Sequence, residues 1–239
     1  MAMEIARASI PQVARNLGEL MAQGFTISPP LLSETELSPL REVVDGMQLN
    51  SKTRGGVRNL LRSSRVLARA VEEGPIAKFA RSLAGAGARP TKLTLFNKSR
   101  QANWTIRWHQ DAMIAVAERR EASGFCGWSE KEGVVHVRPP AHVLESIVAL
   151  RVHLDDTPAL NGPLRVLPGT HVMGLLDREQ IESCRREHRE VVCEVAAGGV
   201  MAMKPLLLHA SSKAAVAASR RVLHVEYSAT DLPNGLKWA

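Results

Sequence analysis

The chain has 239 residues, 45% of them hydrophobic and 23% charged, a composition and length that suit an ordinary globular protein with one sizeable core. It contains no run of about 18 apolar residues, which excludes a hydrophobic membrane span, and its three cysteines, Cys126, Cys184 and Cys193, lack CxxC spacing and cannot make a complete disulfide framework. The net charge of +7 would suit either nucleic acid or a small anion. The basic residues are spread along the chain, and the densest stretch, Arg54 to Arg69, carries no interleaved aromatics, so no nucleic-acid partner is expected and a small-molecule substrate is.

The N-terminus (MAMEIARASIPQVARNLGEL) is amphipathic and lacks the continuous apolar core of a signal peptide, so a cytoplasmic enzyme that does not engage a membrane is expected. Ile10 to Met21 has apolar residues at helical spacing, Val13, Leu17, Leu20 and Met21. Ser33-Glu-Thr-Glu36 reads as a helix start with acids in the first turn, and Val66 to Val71 and Ile76 to Leu83 predict two more short helices. The Gly- and Ala-rich run from Ala84 to Pro90 breaks this helical part.

Beyond Pro90 the periodicity changes. Strands are predicted at Thr91 to Asn97, Trp104 to Trp108, Val134 to Val137, Ile147 to Leu154, Leu164 to Leu167, Val191 to Val195, Val200 to Met203, Leu206 to His209 and Arg221 to Tyr227. Turn signals at Asn161-Gly-Pro163, Pro168-Gly169, Gly198-Gly199 and Pro233-Asn-Gly235 separate them, and Asp177 to Glu187 reads as an inserted helix. The expectation is a single domain over residues 1–239, mainly β with α. A helical cover over 1–89 would precede an antiparallel double sheet or barrel over 90–239.

The segment Asn103-Trp-Thr-Ile-Arg-Trp-His-Gln-Asp111 carries the chemistry. Side chains two apart on a strand share a face, so His109 and Asp111 can occupy two adjacent corners around a metal. A histidine from another strand would complete a facial two-His-one-carboxylate set, which leaves coordination positions open. Met203-Lys-Pro-Leu-Leu-Leu-His-Ala-Ser211 offers that histidine, His209, read as ending an apolar strand. Ser211 follows at plus two and Arg220 at plus eleven. A buried arginine presents a planar fork of donors to a carboxylate, and the Ser211 hydroxyl can add a second contact.

This order of His-x-Asp, distant His, Ser at plus two and Arg at plus eleven resembles the phytanoyl-CoA dioxygenase family. Trp108-His-Gln-Asp111 is similar to that family's first metal motif, and Asn161-Gly-Pro-Leu-Arg-Val-Leu-Pro-Gly-Thr-His171 to its turn before the helical insert. The likeness spans roughly residues 92 to 231. The resemblance implies a double-stranded β-helix (a jelly-roll or cupin-like barrel) and an Fe(II)- and 2-oxoglutarate-dependent dioxygenase. It makes His109, Asp111 and His209 the catalytic iron ligands and places Arg220 and Ser211 on the far carboxylate of 2-oxoglutarate. Family spacing selects Arg220 over its neighbour Arg221, which points to the opposite strand face. The implied reaction consumes dioxygen, releases succinate and CO2 and hydroxylates a substrate; desaturation and ring closure stay open. Asp111 argues against halogenation, since the halogenases similar to this family lack that carboxylate.

Other candidates have two readings each. Lys98 either reaches the 2-oxoglutarate carboxylates or is exposed, and Trp128, placed in a loop, either walls the cofactor pocket or packs. Gln110 faces outward or toward substrate. His136 is a substrate contact or a structural histidine, and His153, His171 and His224 are read as structural. Gly55-Gly-Val-Arg-Asn-Leu-Leu61 is a candidate recognition loop in which Arg58 grips a carboxylate or phosphate. The substrate is expected to be a small, possibly anionic metabolite. The rival readings are a non-catalytic metal-binding barrel and a cupin-like enzyme of different chemistry.

Overall fold

The computed structural model describes residues 10–47, 56–99, 102–215 and 219–239. The first nine residues, and Arg54 and Gly55 of the basic and Gly-Gly segments, lie outside them. In chain order the elements are α1 (Ile10–Gln23), β1 (Phe25–Ser28), α2 (Glu34–Asp45), β2 (Gly56–Val57), α3 (Leu60–Ser63), α4 (Arg65–Glu72), α5 (Gly74–Ala84), β3 (Arg89–Lys98) and β4 (Ile106–His109). These are followed by β5 (Ile114–Val116), β6 (Cys126–Lys131), β7 (Val134–Arg138), α6 (Ala141–Glu145), β8 (Val148–His153) and β9 (Leu164–Val166). The chain ends with α7 (Arg178–Glu187), β10 (Val191–Cys193), β11 (Val200–Met203), β12 (His209–Ser211) and β13 (Arg220–Ser228).

The helix starts follow the sequence signals. At α2 the Ser33 backbone N–H donates to the Glu36 carboxylate at 2.8 Å, and at α7 Asp177 and Gln180 cap each other reciprocally at 2.9 Å. Two strands enter from the part predicted as helical cover. β1 pairs antiparallel with β11 and β2 with β3, so both edges of the major sheet come from the N-terminal region.

That sheet has the order β1-β11-β8-β13-β3-β2. A second sheet, β10-β9-β12-β4, faces it, and β5-β7-β6 forms a smaller third sheet. Every recorded strand pairing is antiparallel, as a double-stranded β-helix requires.

Alternation along the central strands then decides what lies on each side. Leu93, Leu95, Leu150, Val152, Leu223, Val225 and Tyr227 face outward and pack, with Leu37, Leu67, Val71, Ile76 and Phe79 of the helices, into the largest apolar cluster. The Tyr227 hydroxyl closes the seam by donating to the Val71 carbonyl at 2.6 Å. On the inner face Ala149, Met201 and Met203 meet Leu164, Val166 and Leu207 and fill part of the barrel with apolar side chains. The remaining inner positions of β3, β8 and β13 are mostly polar, apart from Phe96 and Val222, and make the site.

The Leu206 to His209 prediction needs correction. Leu206, Leu207 and Leu208 lie in a turn, with Leu207 N–H bonded to Lys204 O at 3.0 Å, and His209 opens β12 rather than ending a strand. The three leucines enter three separate apolar clusters. A strand offers only two faces, so the third direction requires the turn.

Leu223 is fully buried where the major sheet meets the helices. Leu223→Ala is expected to lower unfolding stability by about 2–5 kcal/mol, as measured by urea denaturation.

Candidate metal and 2-oxo acid site

β4 and β12 pair with His109 opposite His209, which sets the imidazole centroids 4.2 Å apart. His109 Nδ1 lies 2.8 Å from the Arg107 carbonyl, and His209 Nδ1 lies 2.8 Å from the Leu207 carbonyl. A carbonyl only accepts, so in both rings Nδ1 carries a proton and Nε2 is the nitrogen turned toward Asp111. Asp111 follows the end of β4 and is held by its N–H bond to Pro205 O at 2.9 Å. Its two oxygens lie 3.7 Å from His109 Nε2 and 3.7 Å from His209 Nε2 respectively, too far for hydrogen bonds. The three ligand atoms fall within 4.8 Å of one another. Two basic nitrogens and a carboxylate, converging without bonding to each other, fit a divalent cation such as iron.

Electrostatics favour the same occupant. Burial would raise the Asp111 carboxyl, but His209, His224, His109 and Lys92 around it outweigh that and hold it well below the usual carboxylate range. Burial pushes His209 down to about 3, against the opposing pull of Asp111. At neutral pH the site therefore offers an ionised carboxylate and a neutral imidazole, the forms that ligate metal.

Gln110 lines the cavity over this centre, with its amide group bonded to main-chain atoms. Its amide nitrogen donates to Gly174 O at 2.8 Å and Leu206 O at 2.7 Å, and its oxygen accepts from Leu176 N–H at 2.8 Å. The residue between the two ligands thus anchors the loop that carries Asp111 to two neighbouring loops.

The sequence-selected cosubstrate residues meet on the same inner face. Arg220 pairs with Lys98 across β13 and β3. Both are buried, which settles Lys98 as an interior residue. Lys98 Nζ donates to Ser211 Oγ at 2.6 Å and to Ser212 O at 2.5 Å. The Ser211 hydroxyl donates to Gly162 O at 3.2 Å, and Arg220 Nη1 donates to the same carbonyl. Gly162 has φ +60°, and a Cβ there would lie 2.7 Å from Ser212 O, so the turn that supplies this acceptor needs glycine. Arg220 Nε has no partner, and among the described residues neither Arg220 nor Lys98 meets a carboxylate. Burial, with Arg220, Arg151 and Arg165 nearby, lowers Lys98 to about 7. Burial and Arg151 lower Arg220 to about 9, still charged at neutral pH. A buried cationic group without a counter-ion fits a carboxylate ligand. Arg221, on the other strand face, is taken up by Asp155 at 2.6 Å and Asp45 at 2.7 Å.

A cavity of about 330 Å³ opens over the triad. Arg58 and His136 both line it, but the Arg58 guanidinium is occupied by Glu132 at 2.7 Å. Trp128 does not join the group. It lies on β6, not in a loop, and packs with the Ile114 and Val116 cluster.

Residues that the sequence reading passed over also line this cavity. His224, read there as structural, places Nε2 3.7 Å from Asp111 Oδ2 and 3.6 Å from Glu226 Oε1, and Glu226 in turn accepts from Lys92 at 2.5 Å. Counting every second residue along β13 from Arg220 would have found His224 and Glu226.

Fold and site together define a barrel oxygenase with a facial His-Asp-His metal set. The family model for phytanoyl-CoA dioxygenase (PhyH) matches residues 22–222, and the chain belongs to that family of Fe(II)- and 2-oxoglutarate-dependent enzymes. A search of curated protein sequences returns no match. Among solved structures the chain is similar to AviO1 from Streptomyces viridochromogenes Tue57, at 19% identity and TM-score 0.67 over 98% of each chain. It is also similar to EctD from S. alaskensis with 2-oxoglutarate and 5-hydroxyectoine, at 18% identity and TM-score 0.69 over 95% of this chain and 78% of that one. The epimerase SnoN in complex with Fe3+, alpha ketoglutarate and nogalamycin RO matches at 17% identity and TM-score 0.66, over 95% and 92%. At these identities the likeness establishes the fold. Among the described residues no helix is long and apolar enough to cross a membrane.

His209 and His153 are both buried, and burial comes first among the causes that lower each. The unfolded chain therefore binds protons at these rings that the folded chain refuses. The metal-free protein is expected to be most stable above pH ~6.5 and to lose about 1 kcal/mol per pH unit per histidine as pH falls from there toward 3. Urea titrations at pH 7, 6 and 5 check this, and His153→Gln should flatten the slope.

Proposed function

We propose that this chain is an Fe(II)- and 2-oxoglutarate-dependent hydroxylase acting on a small, anionic metabolite. In this reading His109, Asp111 and His209 hold the iron, and Arg220, Lys98 and Ser211 hold the distal carboxylate of the cosubstrate. The observation that carries it is the convergence of two imidazole nitrogens and one carboxylate within 4.8 Å, beside buried cations that meet no acid. Iron with 2-oxoglutarate and dioxygen supplies oxidative decarboxylation to succinate and CO2 and the oxidant for a C–H bond.

The chain's own part is geometric and electrostatic. The main-chain carbonyls of Arg107 and Leu207 fix the tautomer and direction of both imidazoles. Gln110 fixes the loop that carries Asp111. Arg220 orients the cosubstrate from its far end, with Ser211 and the Gly162 carbonyl holding the cationic groups in place. The cavity limits substrate to a small molecule. Its margin carries Lys131, exposed and without a recorded ion pair, while Arg58 is held by Glu132. That favours Lys131 over Arg58 as the contact for an anionic substrate group.

Asp111→Ala is expected to abolish stoichiometric iron binding and succinate production in air while leaving the circular-dichroism spectrum unchanged. Succinate formation at the wild-type rate would overturn the assignment. Lys98 makes a second, independent prediction. A bound carboxylate favours its protonated form, and in the free protein it sits at about 7. Affinity for 2-oxoglutarate should therefore fall as pH rises from 7 to 9, by up to about tenfold per unit. Lys98→Met should remove most of that dependence, as read by anaerobic calorimetry.

A further inference from the structure

Arg151 is a buried guanidinium that makes no ion pair among the described residues, though the Asp111 carboxylate acts on it from a distance. It lies on β8, the strand that pairs with β13 and β11 in the middle of the major sheet, directly opposite His224. It is 6% exposed, lines the cavity, and leaves Nε without a partner. Among the described residues its side chain meets one polar atom, His224 Nδ1, with Nη1 at 3.4 Å, a long contact to a ring nitrogen rather than to an acid. Burying a cation this way is destabilising unless an anion meets it. Of the two acids on this inner face, Asp111 belongs to the triad and Glu226 is taken by Lys92 at 2.5 Å. Among the described residues no carboxylate therefore touches Arg151, and Asp111 acts on it only through space.

Position identifies the missing anion. The Arg151 Cζ stands 5.7 Å from the centroid of Phe96. Phe96 lies on β3, across β13 from β8, opposite Val222. The Arg151 side chain therefore crosses β13 between the levels of His224 and Arg220. His224 Nε2 is 3.7 Å from Asp111, which marks the metal end, and Arg220 marks the other. Four residues of strand separate these markers, about 13 Å, and a five-carbon diacid with a guanidinium at its far end fits between them. Both arginines have an unpartnered Nε on this path.

Resting on the function proposed above, we propose that Arg151 is a second cosubstrate-binding residue, which clasps the metal-side carboxylate of the 2-oxo acid while Arg220 holds the distal one. Two guanidiniums would then read the two ends of the ligand separately. The site would select a dicarboxylate by Arg220 and a 2-oxo acid head by Arg151.

The test is anaerobic calorimetry on the full-length Fe(II)-loaded protein with two probes: 2-oxoglutarate, and 2-oxopentanoate, which keeps the 2-oxo acid head and lacks the distal carboxylate. Arg220→Gln should weaken 2-oxoglutarate alone and abolish the preference between the two. Arg151→Gln should weaken both acids by a similar factor, about tenfold or more, and keep the preference. Thermal denaturation of the metal-free protein gives a second reading. Arg151→Gln and Arg151→Met remove an uncompensated buried charge, so each should melt at or above the wild-type temperature. Unchanged binding of both acids by Arg151→Gln would overturn the proposal, as would a loss confined to 2-oxoglutarate, which would place Arg151 at the distal end. Failure of both variants to fold would also overturn it, because the cation would then be structural. Failure of the wild-type protein to bind either acid would instead overturn the 2-oxoglutarate reading itself. That case is separable, because the Arg151 proposal can fail alone while Arg220→Gln behaves as expected.

Discussion

The pairing of His109 with His209 across β4 and β12 is the contact on which the site depends. Antiparallel register puts two imidazoles side by side, and a main-chain carbonyl two residues back fixes the proton on each Nδ1. Both rings then present Nε2 to the same point in space, where Asp111 arrives from the loop that Gln110 pins. The carboxylate needs no direct bond to either ring for this to hold, since His209, His224, His109 and Lys92 keep it ionised. The stabilising interactions belong to the backbone and to Gln110, which leaves the ligand atoms free for an ion.

A second constraint acts through the major sheet. One face of β3, β8 and β13 is apolar and bound to the helices. The other carries Lys92, Lys98, Arg151, Arg220, His224 and Glu226 inside the barrel. A barrel interior with this many charged groups is destabilising by itself. It persists because leucine, valine and tyrosine side chains bury a large apolar area on the opposite face, and because Glu226 offsets Lys92. The uncompensated remainder is cationic and lies beside the metal set, so the same groups that weaken the empty protein favour an anionic ligand.

The candidate metal ligands were legible because their pattern in the chain is simple. His-x-Asp, the distant histidine and the arginine beyond it are fixed offsets in the chain; strand alternation allowed only one of Arg220 and Arg221 to face inward, and family spacing chose Arg220 over Arg221, whose guanidinium the structure ties to Asp155 and Asp45. The helix starts at Ser33 and Asp177 were legible for the same reason, since a cap is formed within four residues. Leu206 to Leu208 misled because an apolar run looks the same whether it spans a strand or distributes three side chains among three clusters.

What the sequence alone determined is the set of candidate donor atoms, the β-rich barrel with helices before it, and, by family spacing, the choice of Arg220 over Arg221. Tertiary structure decided which other residues join that set. Arg151 and His224 become neighbours through β8–β13 pairing, β1 and β2 enter the major sheet from a region that reads as helix, Arg58 is captured by Glu132, and Trp128 is drawn into an apolar cluster on β6. Each of these depends on strand register or on a partner distant in sequence, and neither is encoded by a residue's near neighbours.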